Sequence, residues 1–381
     1  MGAVVEALPA AERGQQAEFG VINLLKAVAA QLIVLHHLAF YGPMADHARP
    51  LMPGVIDWLA DDARIAVQVF LVIGGFLAAK SLSPQGYPGL ANPLGTIWRR
   101  YLKLAPPFMV AMLLAVGASA LGSAWMTHDS ISAPPSVWQL AAHALLLQDV
   151  LGYEALSAGA WYVAVDFQLY AVMSLLLWGC GRVARNRVLP WLMPAVVTVA
   201  VGASLLYFNL DSDWDVWAPY FLGSYGLGVL AWWASDPTRR PRTVAVLLLM
   251  MALPALVALM VDFRSRAAVA LVVACALIVL GRARSTPGSA RAWLVVNSLG
   301  KISYSVFLVH FPVCLVVNAL FAEFVPPRAH LQSAGMVLAW AASLTAGAAF
   351  FYRVERPLGR LFSPSRSLRR SGVLCARLPS Q

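Results

Sequence analysis

Apolar residues in this chain run in long unbroken blocks rather than in the alternating or amphipathic patterns of a soluble domain. Ten runs lie near 22–41, 64–82, 102–121, 161–180, 188–207, 217–234, 243–261, 266–281, 303–325 and 331–352. Each is about 17–25 residues long, enough to cross a ~30 Å hydrocarbon core. Proline, glycine or charge punctuates every gap. Lipid offers no hydrogen bonds to exposed backbone, so each run is expected to be a helix. The expected fold is therefore an all-α integral membrane protein, a bundle of about ten transmembrane helices. Residues 1–21 form an N-terminal segment, 22–360 the membrane domain, and 361–381 a basic tail carrying no additional enzyme.

Composition agrees. Of 381 residues, 60% are hydrophobic and 12% charged, against roughly 45–50% and 25% in soluble domains. That excludes a cytosolic globular enzyme, a disordered chain and a nucleic-acid binder. The net charge of +10 is informative through its placement. With ten spans, 23 of the 28 lysines and arginines fall at one end: Arg13, Lys26, those of loops 80–103, 181–190, 235–242 and 281–302, and those after residue 352. Only Arg49, Arg64, Arg264, Arg266 and Arg328 fall at the other, with Asp61, Asp62, Asp129, Asp211, Asp213 and Asp215. The positive-inside rule then places both termini in the cytoplasm.

The N-terminal segment lacks the basic start of a signal peptide, and Glu6 stands where N-myristoylation wants Ser or Thr. Cys180, Cys275, Cys314 and Cys375 form no CxxC pair, so neither a disulfide framework nor a thiolate metal site is expected. Within 122–160, the stretch 137–150 is apolar but too short to span and reads as an interfacial or re-entrant helix. Gly223, Gly226 and Gly228 mimic a phosphate loop, but with no preceding strand they are expected to allow close helix packing.

Polar groups inside the spans carry the chemistry, because an ionisable side chain in lipid usually faces a cavity or a partner. Lys26 and His37 lie eleven residues apart, about 20° out of phase and about 16 Å apart along a helix. His36 is turned ~80° from Lys26 and reads as a packing residue. His37 is either a general base or a histidine bonded between helices. Lys26 is either a ligand for an anion or a snorkelling anchor. Tyr162, Asp166 and Tyr170 form a stripe at i, i+4, i+8 that suits a hydroxyl site, a histidine orienter or a helix clamp. Ser303 and His310 share a face with Tyr304 beside them. Arg99, Arg100 and Lys103 cluster at the start of the third span, as a clamp for a pyrophosphate or as topology anchors. No pattern supports a metal site.

Six motifs occur in order. Lys26 and His37 stand at an arginine–ten residues–histidine spacing. The run Val69-Phe70-Leu71-Val72-Ile73-Gly74-Gly75-Phe76-Leu77 is similar to FFxxSGFL. Arg100 and Lys103 precede Pro106 as in RxxR. Trp161 to Tyr170 is similar to W-S-L-x-V-E-x-Q-F-Y, with Asp166 at the glutamate. Leu299 to His310 matches LGxxSYxxYLxH, and Glu355-Arg356-Pro357 closes the last span. Together they resemble the membrane acyltransferase 3 family, multispanning O-acyltransferases that act on saccharides. The departures are lysine at 26 and 103, glycine at 74 and aspartate at 166. Lysine lacks arginine's bidentate fork, which points to a divergent subgroup.

The resemblance implies transfer of an acyl group, commonly acetyl, from cytoplasmic acyl-coenzyme A to a hydroxyl of a cell-envelope saccharide or glycolipid in a bacterial inner membrane. No permanent cofactor is implied. In this scheme His37 is the base and Asp166 orients it or the acceptor. Lys26, Arg99, Arg100 and Lys103 bind the donor, while Tyr162, Tyr170, Ser303, Tyr304 and His310 line the channel or hold the acceptor. The alternative is a proton-coupled transporter or flippase for a sugar or lipid, with His37 and Asp166 as the relay.

Overall fold

The computed structural model describes residues 10–185, 187, 189–283 and 290–362. Ten long helices form the bundle: α1 Ala10–Phe40, α2 Val67–Leu82, α3 Pro93–Gly122, α4 Ala160–Ala184, α5 Leu192–Leu206, α6 Ala218–Ser235, α7 Pro241–Val261, α8 Ser265–Ala283, α9 Ala290–Phe324 and α10 Ala329–Phe350. No strand occurs among the described residues. Nine of the ten, some extended by an adjoining turn, are long and apolar enough to cross a membrane. The protein is an all-α integral membrane protein.

Helix α6 is the exception, and its position explains why. It is the most enclosed helix of the bundle, buried at fifteen of its eighteen residues, and packs on α2, α5, α7 and α8. A helix surrounded by protein presents no broad face to lipid, so it can carry Tyr, Ser and Gly in place of Leu and Ile. Its glycines are contacts. A Cβ on Gly228 would stand 1.9 Å from the Val72 carbonyl oxygen, and one on Gly75 of α2 would stand 1.8 Å from that of Tyr225. The α2–α6 crossing is thus backbone against backbone, with a glycine from each helix. Gly226 makes room for Val201 and Gly223 for Leu205. The packing expected of these glycines is what they do.

Helices α1, α3, α9 and α10 complete the bundle around this centre. Gly300 lets α9 meet α1 at Asn23, where a Cβ would fall 2.4 Å from the asparagine's own. The final helix widens to a π turn over Phe351–Glu355 before Arg356–Leu361. Pro357 accounts for it, since proline supplies no N–H to the preceding turn and its ring crowds the carbonyl four residues back. Between α3 and α4, the short apolar stretch is an eight-residue helix, Val137–Ala144, capped by Ser136 and presenting Val137 and Trp138 outward. Its His143 is fully buried, bonded to the Gln139 carbonyl at 2.8 Å and to the Leu156 N–H at 3.2 Å.

The bundle has two chemically distinct ends. At one meet the C-termini of α1 and α7, the N-termini of α4, α6 and α8, and the loops holding Asp61, Asp62, Asp149 and Asp215. At the other, Trp233 Nε1 donates to the Ser83 carbonyl, Arg239 to that of Gln85, and Arg282 to those of Ala234 and Asp236. Most basic residues lie at this second end.

Candidate functional site

Two histidines from opposite ends of the sequence meet in the bundle. His37 sits near the C-terminus of α1, and His310 lies mid-way along α9. Their Nδ1 and Nε2 atoms are 2.5 Å apart, and the rings lie within 6° of parallel. His310 Nδ1 is 2.7 Å from the Phe307 carbonyl oxygen and 3.2 Å from that of Val306. A carbonyl only accepts, so the His310 Nδ1 carries hydrogen. In the neutral ring its Nε2 is then a bare acceptor, and the shared hydrogen belongs to His37 Nδ1. That leaves the lone pair of His37 on Nε2, to which no group among the described residues is bonded. The chain carbonyl–imidazole–imidazole fixes one tautomer and one orientation, the task a carboxylate performs in a triad.

His37 and Phe307 reach the wall of a cavity of about 1060 Å³ that opens at the acidic end of the bundle. Trp161 and Phe221 stack along its side, with ring centroids 5.5 Å apart, and Gln68, Tyr220 and Phe263 also line it. His36 reaches the same cavity, but its Nδ1 is bonded to the Leu59 carbonyl at 2.9 Å, tying α1 to helix Pro53–Asp61. Asp149, half-buried on the wall, is held above the ordinary carboxylate range by burial and then by its neighbour Asp215. Hydrogen bonds from its own backbone and from Gln148 Nε2, at 2.8 Å, oppose that shift.

A second cluster lies deeper. Arg100 of α3 and Asp166 of α4 form an ion pair, and Arg100 lies over the Tyr170 ring at 5.1 Å. Tyr162, Tyr225 and Tyr304 complete its electrostatic surroundings. Arg100 Nε is buried without a hydrogen-bond partner. Gly74 lies against the pair: a Cβ there would be 3.4 Å from an Asp166 carboxylate oxygen and 3.3 Å from the Tyr225 ring. Lys26 and Lys103 adjoin the cluster through Glu355, whose carboxylate accepts from Ser305 Oγ at 2.5 Å.

Between the two clusters lies a layer of rings. Tyr162 is 5.3 Å from Phe307 and 6.0 Å from Phe70, and Phe307 is 5.9 Å from His310.

The residues singled out in the sequence thus divide into groups. His37 pairs with His310 and not with Asp166. Asp166, Arg100, Tyr162, Tyr170 and Tyr304 gather in the deeper cluster, with Lys26 and Lys103 beside it. The Tyr304 hydroxyl donates to the Leu104 carbonyl at 3.3 Å. Arg99 turns outward and bonds Thr96 Oγ1 at 3.1 Å. Ser303 is buried and returns its hydroxyl to the Gly300 carbonyl at 2.9 Å. Two features were not foreseen. One is the direct histidine pair, which a sequence separation of 273 conceals. The other is Glu355 as the acidic neighbour of Lys26 and Lys103, signalled only by the Glu355-Arg356-Pro357 motif.

The sequence model of the acyltransferase 3 family, described as an acyltransferase domain, matches residues 19–353. Among curated proteins, a "Regulator of hypoxia-inducible factor 1" from Caenorhabditis elegans is 24% identical over 174 residues, 43% of this chain and 35% of that protein. The chain therefore spans about a third of the length of that relative. No solved structure matches. The family match covers nearly the whole chain, both histidines and the Arg100–Asp166 pair included, and the protein belongs to the acyltransferase 3 family.

Proposed function

We propose that the protein moves an acyl group, acetyl in the first instance, from acyl-coenzyme A to a hydroxyl of a cell-envelope saccharide or glycolipid. The observation that carries this reading is the His37–His310 pair on the wall of an open cavity. His37 Nε2 is the one ring nitrogen of the pair without a protein partner, and it takes the proton of the acceptor hydroxyl. The hydroxyl oxygen then forms a bond to the thioester carbonyl carbon, the carbon–sulfur bond breaks, and the departing thiolate recovers the proton from His37. His310 supports the step by accepting from His37 Nδ1–H throughout, so the imidazolium charge is shared toward the Phe307 carbonyl.

The donor enters from the basic end. Lys26, Lys103 and Arg100 face its phosphates, and the spare Arg100 Nε is a buried donor suited to an anionic oxygen. Arg99, turned outward, serves as a collecting charge at the mouth. Asp166 acts on the donor side, holding the guanidinium in place. By the positive-inside rule the basic end and both termini are cytoplasmic, and the acidic cavity faces outward in a bacterial inner membrane.

The test is coenzyme A release from acetyl-coenzyme A by purified protein in nanodiscs, with and without oligosaccharide acceptors. Release that depends on acceptor, with acylated product by mass spectrometry, is the expected result. His37→Ala should lower turnover by about 10²–10⁴-fold with the fold intact. Transfer by that variant at the wild-type rate would remove His37 from the mechanism. Proton-coupled movement of glycan without acylation would favour the transporter alternative.

A further inference from the structure

The cavity that ends at His37 offers an incoming molecule hydrogen-bond acceptors and few donors. Asp61, Asp62, Asp149 and Asp215 line it, opposed by Arg64, Arg264 and Arg266. Two of those arginines are already engaged. Arg264 donates to the Leu205 carbonyl at 2.7 Å, to the Asn209 carbonyl at 3.1 Å and to Asn209 Oδ1 at 2.6 Å, and it pairs with Asp262 at 3.3 Å. Arg266 donates to the Tyr220 hydroxyl at 2.6 Å and the Asn209 carbonyl at 3.1 Å, with its guanidinium over the Tyr220 ring at 5.2 Å. Both close the exposed end of α5 and are held by the protein itself.

The carboxylates are not so held. Among the described residues, no side chain donates to Asp61, Asp62 or Asp215, and the side chain that donates to Asp149 is Gln148. The second half of the wall is aromatic: the stacked Trp161 and Phe221, Tyr220, and the exposed Phe263. Ring faces are negative and meet C–H groups and cations well, anions poorly.

We infer that this cavity selects an acceptor rich in hydroxyl or ammonium donors and free of negative charge, and that it turns away acidic glycans. The inference rests on His37 marking the acceptor side. The recognition is physical: carboxylates accept from hydroxyls and attract ammonium groups, rings cover the apolar faces of a pyranose, and like charge excludes uronates and phosphates. A neutral oligosaccharide and a glucosamine oligomer share the favoured chemistry, and the experiment separates them.

Binding and acyl transfer are measured for three probes of equal length: a neutral glucan, a glucosamine oligomer and a uronate oligomer. The protein is used whole, in nanodiscs of zwitterionic lipid. Wild type should favour the neutral or amino probe over the uronate by about tenfold or more at low salt, with the gap narrowing as salt rises. The triple variant Asp61→Asn, Asp62→Asn, Asp215→Asn should close most of that gap, chiefly by admitting the uronate. A neutral-over-amino order would assign the selection to hydroxyl donation, the reverse order to charge, and both keep the inference. Equal or stronger binding of uronate, a gap unmoved in the triple variant, or no binding of any probe would overturn it. Calorimetric binding needs no donor. Selective binding without transfer would therefore retain the cavity's preference while removing the catalytic reading, and transfer without selectivity would do the opposite.

Discussion

The His37 imidazole owes its orientation to a single acceptor atom. With His310 Nε2 in place, His37 Nδ1 holds the hydrogen and Nε2 keeps the lone pair. Removing the acceptor leaves His37 free to rotate and to exchange tautomers, so the base of the proposed mechanism becomes an average over several arrangements. His310→Ala should lower kcat by about 10²-fold or more, leave the Kd for acyl-coenzyme A unchanged, and keep the bundle folded. His310→Gln, whose amide oxygen can accept from Nδ1–H, should recover part of the loss. An alanine variant as fast as wild type would make His310 a packing residue only. Sequence periodicity reached both histidines but not their pairing. It reports which residues share a face of one helix, whereas His37 and His310 meet across two. The same limit applies to Asp166. Its stripe with Tyr162 and Tyr170 was legible, while its guanidinium partner sits 66 positions earlier on another helix.

Helices meet most closely where glycine removes the side chain, and α2 on α6 is the closest such crossing here. Gly228→Ala places a methyl 1.9 Å from the Val72 carbonyl oxygen, an atom that cannot move without shifting α2. Such overpacking typically costs ~1–3 kcal/mol. It should appear as a lower midpoint for thermal unfolding in nanodiscs and as lost transfer activity. Gly117→Ala on α3 is the matched control, since a Cβ there meets nothing within 4 Å. Equal melting of both variants would show that the crossing tolerates separation. The hydrophobic pattern located all ten helices, because lipid imposes length and apolarity on nine of them. It missed the extensions of α3 to Pro93 and of α9 to Ala290 and how α6 would compare with the others. That helix is bounded by protein on most sides, so lipid does not dictate its composition.

Across the whole molecule, charge is sorted by end. The aspartates around the cavity and the arginines around loops 80–103 and 235–242 sit at opposite ends of the bundle, as the alternation of spans requires. The topology proposed from the positive-inside rule puts Ser212 outside and Thr238 in the cytoplasm. With the four native cysteines replaced, Ser212→Cys should react with a membrane-impermeant maleimide in intact cells, and Thr238→Cys only after lysis. The opposite pattern would invert the topology and with it the side from which each substrate comes. The ten helices, the sorting of charge among the described residues and the identity of the polar residues were readable from the chain, whereas nine helices, not ten, are long and apolar enough to span. The division of the polar residues into a histidine pair and a deeper Arg100–Asp166 cluster was not, since it depends on which helices face each other.

Those rings, Phe70, Tyr162 and Phe307, have a consequence for the cell as well as for the reaction. On the proposed reaction, which joins a thioester on one side of the membrane to a hydroxyl on the other, the protein must avoid becoming a leak. An open water path past Lys26 and His37 would let protons run down their gradient at every turnover. On the proposed reaction, Tyr162, 5.3 Å from Phe307 and 6.0 Å from Phe70, and those two rings make up the partition between the two clusters, which an acyl arm has to part and a hydrated ion has to be kept from passing. In that scheme the transfer runs across an energised membrane without discharging it.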